Sequence, residues 1–379
     1  MPRTPASALS FVSFVFVSTL ASVLWGLWSA PALQAQIPAA AARTGKQVYE
    51  AACAQCHEAR GQGAPQPTVA FTLPLPDLSD CNFTREPDAD WFAVIHDGGP
   101  ARAFSQMMPA FGDALTREEI ERTIDYIRGF CDSTAWPRGE LNFPRALVTE
   151  KAFPEDEVVF TSSVAGEGDG SVANKLIYEK RIGARSQVEV IVPFSSLRSD
   201  ASGWASGIGD LAVGAKHAVY HDKRRGTILS VAGELIMPTG NEARGLGSGH
   251  FAIEPFASFG QALPGDGFIQ AQAGLGVPTD GSTREAFWRL VAGKSFTQGA
   301  FGRTWSPMVE LVAARDFEDG EATNWDIVPQ FQVTLSKRQH IMAALGARIP
   351  LNDRGPRRTQ VVAYFLWDWF DGGLFSAWK

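Results

Sequence analysis

"VPQFQVTL", residues 328 to 335, decides the fold of most of this chain. Side chains of an extended strand point alternately to opposite faces, so Val328, Gln330, Gln332 and Thr334 share one side while Phe331, Val333 and Leu335 share the other. The same period of two recurs in Leu229, Val231, Gly233 and Leu235 against Ser230 and Glu234, and in Val309, Leu311 and Ala313 facing away from Glu310. Repeated along the chain, it predicts about twelve strands, centred near or starting at 157, 174, 187, 210, 227, 251, 267, 286, 305, 325, 339 and 359. Turn residues separate them.

Alternation suits a soluble sandwich or barrel as well as a membrane one. The connections discriminate. They read long at 166–174, short at 182–186, long at 195–209, short at 221–226, long at 238–250 and short at 263–267. Beyond these, 278–285 and 317–324 are longer, 297–304 intermediate, 336–339 short and 350–360 long. Outer-membrane barrels have short periplasmic turns and longer outer loops, so the first strand is expected to start in the periplasm and both ends of the barrel domain to lie there. The 37 glycines suit tight turns, and Trp204, Phe251, Phe256, Phe287, Trp288, Trp305, Trp325 and the run "AYFLWDWF" stand where interfacial aromatic girdles would. Inward Glu234 and Glu310 receive no role beyond a polar lumen. The strand pattern "GIGDLAVGAKHAVY", residues 207–220, resembles the Gly-Asp strand of the outer-membrane channel family linked with the MetA pathway of phenol degradation. That resemblance, over 157–379, implies a barrel of transporter type. A barrel often ends on an aromatic residue, whereas this sequence closes Ala377-Trp378-Lys379, which leaves the last strand loosely placed.

Ahead of the barrel, no charged residue occurs from Thr4 to Ala42, and an apolar stretch from Phe11 to Trp28 gives way to small residues. This reads as a signal peptide over 1–35, cut after Ala35 or Ala32, with an uncleaved anchor as the alternative and no cysteine near the cut to carry a lipid. Export places the four cysteines in an oxidising compartment.

"CAQCHE", residues 53–58, holds two of them. A redox disulfide does not need the histidine, and a zinc site needs a second ligand pair that Cys81 and Cys131, far apart and without a neighbouring His, do not supply. Cys-x-x-Cys-His is the attachment pattern of haem c, with Cys53 and Cys56 as thioether anchors and His57 under the iron. The sixth ligand is expected from the "MMPAFGD" loop: Met108 first, Met107 second, with His96 of "VIHDGGP" a weaker candidate. A lone Met is otherwise core filler. Helices are predicted at 44–52, at 88–96 and from Thr116, where Thr116 caps, Glu119 reaches back, Ile120, Ile124 and Ile127 share a face and Gly129 ends the helix.

These motifs resemble class I cytochrome c over residues 43 to about 131. The resemblance implies a small all-α domain with one covalent haem, His57 and Met108 as axial ligands, an exposed haem edge and one-electron transfer. Cys81 and Cys131 are extra to that pattern and are expected to pair in an oxidising compartment. The chain thus divides into a signal peptide (1–35), a monohaem cytochrome domain (43–135), a Pro- and charge-rich linker (136–154) and an antiparallel transmembrane β-barrel (155–379).

The architecture is similar to porin-cytochrome fusions that oxidise ferrous iron. It implies a periplasmic redox partner, outer-membrane lipid around the barrel, and a ferrous or other lumenal donor. A twelve-stranded barrel lies between the filled eight-stranded and the open 16–18-stranded kinds, whereas a domain of about 100 residues has a radius of gyration near 13 Å. The haem domain is therefore expected at the periplasmic mouth, not inside. Two alternatives stand beside electron transfer: a small-molecule channel with an accessory haem, and a haem enzyme such as a peroxidase with an open iron position. The net charge of -7 and the lack of a basic stripe disfavour nucleic acid, and Lys223, Arg224 and Arg225 read as a solvated turn.

Overall fold

The computed structural model describes residues 43–69, 72–165, 170–199, 203–299, 301–352 and 357–368. The signal peptide read over 1–35 and the closing residues 369–379 lie outside the described residues. From Thr44 onward the helices and the barrel belong to one unit.

The helical part contains α1 (Gly45–Ala52), α2 (Ala54–His57), α3 (Asp88–Asp97) and α4 (Arg117–Arg128). Both long-range partners, α1 and α4, open on a reciprocal capping box: Thr44 with Gln47, and Thr116 with Glu119. Each box satisfies amide donors that the first turn leaves free. The apolar stripe of α4, Ile120, Ile124 and Ile127, is buried with Val48, Tyr49, Ile95 and Leu115. At the crossing an added Cβ on Gly45 would lie 1.9 Å from the Arg122 carbonyl oxygen, so only glycine admits this approach. A disulfide joins Cys81 to Cys131, as the sequence suggested, and ties the end of α4 to the preceding loop.

The remainder is one antiparallel sheet: β1 (Glu157–Ala165), β2 (Ser171–Ile182), β3 (Ser186–Ser199), β4 (Gly203–Ile208), β5 (Leu211–Asp222), β6 (Thr227–Met237), β7 (Ala252–Leu263), β8 (Gly267–Pro278), β9 (Glu285–Lys294), β10 (Phe296–Gln298), β11 (Arg303–Asp316), β12 (Asn324–Thr334), β13 (Ile341–Pro350) and β14 (Gln360–Asp368). Strand β14 pairs with β1, Phe365 opposite Phe160, which closes the ring. β4 and β5 both pair with β3, and β9 and β10 both pair with β11. Each of those couples is one interrupted strand, so the barrel has twelve spanning strands.

One expected loop proved to be largely strand and a second half strand. Much of 195–209 is the β3–β4 hairpin, and 297–304 holds the end of β10 and the start of β11. Their Ser, Gly and Thr residues carry a weak strand signal, and backbone pairing along the neighbour supplies what composition does not.

Hydropathy is inverted relative to a soluble protein. Val309 is 47% exposed on the outer wall while its neighbour Glu310 is fully buried inside. Along 328–335, Val328, Gln330, Gln332 and Thr334 are buried, and Phe331 and Leu335 are exposed. Val333 departs from its set and is buried, standing opposite Trp305. Strands of nine residues or more are long enough to cross a bilayer when tilted. Among the described residues no helix is long and apolar enough to do so.

Candidate functional site

The short turns 183–185, 223–226, 264–266, 299–302 and 335–340 gather at one end of the barrel, with the start of β1 and the end of β14. The helical part lies across this end. Lys223 Nζ is 2.6 Å from Asp88 Oδ2, Arg338 stacks over Phe104 at 4.5 Å, and Arg185 Nε donates to the Ala135 carbonyl at 2.9 Å. Lys223 is thus an interface residue rather than part of a solvated turn, because the helical domain covers the turn that carries it. Asp88 also meets Arg138 at 2.7 Å and Arg128 at 3.0 Å. Burial alone would raise its pKa. Its hydrogen bonds with Glu140 and Lys223 and the charges of Arg128 and Arg138 outweigh that and hold it well below the carboxylate range.

Cys53 closes α1, donating its amide to the Tyr49 carbonyl at 2.9 Å, and the single turn α2 follows at once. That turn brings Cys56 and His57 back beside Cys53, whose carbonyl accepts from the amides of Cys56 (3.1 Å) and His57 (2.9 Å). Both thiols are free, in contrast to Cys81 and Cys131. Burial, and then the neighbouring Cys56, push the Cys53 thiol up to about 11. Tyr49 donates its hydroxyl to the Glu58 carbonyl at 2.6 Å and so pins the corner after His57.

The chain then turns through Gly61 and Gly63, both at positive φ; a Cβ on Gly61 would strike Phe130 at 2.8 Å and Leu78 at 2.9 Å. His57 Nδ1 is buried without a hydrogen-bond partner, and burial lowers the ring's pKa toward the neutral form that binds metals.

The loop residue Met108 is half-buried against the core cluster of Val48, Ile95, Leu115, Ile120 and Ile124, which Phe92 and Phe111 also join, its carbonyl accepting from Gly99 N at 3.0 Å. Met107 is 46% exposed. His96 is engaged elsewhere, bonded through Nδ1 to Asp97 at 2.6 Å and stacked on Phe92. Two free thiols, an orphaned neutral imidazole and a half-buried thioether are the donor set a covalent haem takes, and the residues fit that group.

The segment read as a linker enters the barrel. Residues 139–156 enter at the short-turn end, turn near Leu147–Glu150 and return to β1. Near the entrance Leu141, Phe143, Ala146 and Phe153 pack on Ile228, Phe268, Val291 and Met308 from the wall. Deeper in, the wall's polar side chains satisfy the segment's backbone: Gln330 Oε1 accepts from Leu147 N at 2.9 Å, Glu310 from Val148 N (3.1 Å) and Thr149 N (2.9 Å), and Gln272 Oε1 from Glu150 N at 3.2 Å. Gln270 donates to the Pro144 carbonyl at 2.8 Å and Tyr364 to the Arg145 carbonyl at 2.7 Å.

An extended, proline-broken segment has no partners of its own, and buried amides need them. Glu310 therefore has a definite role, as an acceptor for the lumenal segment. Arg145 bridges Glu157 (2.6 Å) and Glu179 (3.0 Å). Sequence reasoning missed the insertion; the only signal was three lumen-facing positions, Glu310, Gln330 and Gln272, rich in acceptors.

At the opposite end Asp210, in the break between β4 and β5, accepts from Gly240 N at 2.9 Å and Ser248 Oγ at 2.7 Å, so it organises the connection 238–251.

Residues 170–367 match the family model described as putative MetA-pathway of phenol degradation. The chain belongs to this family. The match spans eleven of the twelve spanning strands of this MetA-pathway family barrel and the whole of its Gly-Asp strand. Residues 40–127 match a second model, cytochrome c oxidase, cbb3-type, subunit III. No curated protein matches the chain. Among solved structures it is similar to an outer membrane channel from Pseudomonas putida F1 (15% identity, 59% of this chain and 98% of that one, TM-score 0.42). The NanC porin is similar at 7% identity, covering 56% and 100%, with a TM-score of 0.41. The KdgM porin follows at 6% identity, 56% and 99%, TM-score 0.39.

Proposed function

We propose that this protein is an outer-membrane barrel of channel type, closed by its own residues 139–156, that carries a one-electron-transfer haem domain on its periplasmic mouth. The barrel half of the reading is supported by the family match and by the apolar outer wall around a polar interior. Export of the chain and the gathering of short turns beside the helical part favour the periplasmic side for that part.

The haem half rests on one observation: Cys53 and Cys56 are free thiols flanking a turn that ends in His57, in a chain whose other two cysteines are bonded. Cys53 and Cys56 would hold the haem through thioethers, and His57 and Met108 would ligate its iron. A bound haem c supplies reversible one-electron exchange at the iron. The chain's own part is to anchor through α1 and α2, to keep His57 neutral by burial, and to brace Met108 between Gly99 and the α3 side chains. His/Met ligation leaves no position for a substrate, which favours a carrier over a peroxidase.

The test is the haem itself. One haem per chain that survives denaturation and acid extraction, with a low-spin spectrum losing its methionine signature in Met108→Ala, is the expected result. A chain matured with the export and haem-attachment machinery present that carries no covalent haem would overturn the reading.

Membership of the MetA-pathway family favours a second reading, a small-molecule channel with the haem as accessory. Bilayer conductance separates the two. Ohmic conductance of the intact chain, comparable with that of a variant lacking residues 139–153, supports the channel; a closed intact chain and an open deletion support the carrier.

A further inference from the structure

The lumenal segment meets the wall at a place where hydrogen bonding is incomplete. Glu150, at the tip of that segment, Glu189 of β3 and Glu234 of β6 bring one carboxylate oxygen each to within 4.8 Å of one another. Glu189 is only 3% exposed, and neither of its oxygens has a hydrogen-bond partner; Glu150 Oε2 is likewise buried and unpartnered. We propose that these three carboxylates form a divalent-cation site that fastens the tip of the lumenal segment to the barrel wall.

The strand register shows how the sequence builds it. Reading across the sheet, Glu157 stands opposite Glu179, Glu179 opposite Glu189, Glu189 opposite Gly214, Gly214 opposite Glu234 and Glu234 opposite Glu254. One row of inward positions on six adjacent strands is therefore acidic except for a single glycine. That glycine makes the room: a Cβ on Gly214 would lie 2.3 Å from Glu189 Oε1, so the carboxylate leans over it toward Glu234.

The row is neutralised unevenly. Arg145 serves Glu157 and Glu179, and Lys151 serves Glu155 and Glu157. Near the other half Lys216 Nζ donates to the Lys151 carbonyl at 3.0 Å, Arg289 Nη1 donates to the Val148 carbonyl at 3.0 Å and to Gln272 Oε1 at 2.8 Å, and Lys175 acts on Glu234 through space alone. Glu150, Glu189 and Glu234 are left facing each other, and a carboxylate as buried as Glu189 beside two partly buried ones needs a countercharge. All donors are oxygen, with no His or Cys in the group, which selects a hard divalent ion of the Ca²⁺, Mg²⁺ or Mn²⁺ kind over a soft one. Two ligands lie on the wall and one on the segment, so the ion would act as a latch. This inference is independent of the haem.

The experiment uses the full chain in detergent, stripped by a chelator and titrated with Mn²⁺, with free ion followed by electron paramagnetic resonance. One tightly held Mn²⁺ per chain, displaced by Ca²⁺, is expected. Glu189→Gln and Glu150→Gln should each weaken it at least tenfold, in barrels whose heat-dependent gel migration is unchanged. Glu150 lies outside every strand, so its variant decides the matter even where Glu189→Gln fails to fold. Absence of stoichiometric Mn²⁺ binding, as expected if the carboxyls merely share protons, would overturn the proposal; so would a folded Glu150→Gln that binds as tightly as the parent.

Discussion

The helical domain and the barrel use the same kinds of residue with opposite sign. In the helical domain Val48, Ile120 and Ile124 are inside and the charged residues of α4 are mostly outside. In the barrel Val309 and Phe331 are outside while Glu310, Gln330 and Gln332 are inside. The first region folds by removing apolar surface from water. The second leaves apolar surface for lipid and must find hydrogen-bond partners for its interior, which residues 139–156 provide. The barrel interior is thus completed by chain that lies outside its strands, and the same segment joins it to the helical domain.

The sharpest way to separate the two regions is to remove the cysteines. Cys53→Ser with Cys56→Ser is expected to abolish covalent haem entirely, read from the pyridine haemochrome spectrum, while the barrel still inserts. A variant that keeps stoichiometric covalent haem would refute the anchor assignment. Next in size is Arg145→Ala. Stranding Glu157 and Glu179 without their bridging cation should cost about 3–5 kcal/mol, seen as a lower urea midpoint for barrel unfolding. An unchanged midpoint would mean that the lumenal segment contributes little.

A pair of substitutions tests the inversion directly. Val309→Arg on the lipid face should cost about 2–4 kcal/mol and reduce insertion into vesicles. The adjacent Glu310→Gln keeps an acceptor for Val148 and Thr149 and should insert like the parent. Equal behaviour of the two would remove the membrane reading of the outer wall. In the helical domain Gly45→Ala meets the Arg122 carbonyl, and about 1–3 kcal/mol of that domain's stability should be lost, measured by its thermal transition with the barrel unaffected.

The smallest effect concerns the contact between the regions. The Asp88 carboxyl has a folded pKa below its unfolded value of about 3.9, so its contribution is complete at neutral pH and is lost as pH falls through the acid range toward the folded value. Hydrogen-exchange protection factors in residues 136–142, corrected for the intrinsic rate at each pH, should therefore hold down to about pH 5 and fall below about pH 4. Asp88→Asn should flatten that dependence; an identical acid profile in this variant would assign the loosening to other groups.

Much of the outline was legible before the fold. The strand starts near 157, 187, 227, 267 and 325, the alternation of short and longer connections, the capping box at Thr116 and the Cys81–Cys131 bond all appear in the structure. Each depends on a local period, a local motif or the chemistry of a compartment. From sequence Lys223 and Glu310 are unremarkable surface and lumen positions, because their partners, Asp88 and the amides of Val148 and Thr149, stand 135 and about 160 residues away. The Cys-x-x-Cys-His motif and the order Met108, Met107, His96 were legible in the sequence; the structure adds that Met108 is half-buried, Met107 exposed and His96 bonded to Asp97.

By itself the sequence determined the period-two strands, their approximate number, the residues of the Cys-x-x-Cys-His turn and the division into a helical and a β region, since all of these follow from interactions between near neighbours. Tertiary structure alone decided that residues 139–156 lie inside the barrel and that one acidic row gathers around Gly214. Register sums the offsets of every hairpin before it, and a proline-broken segment carries no period to say what will surround it.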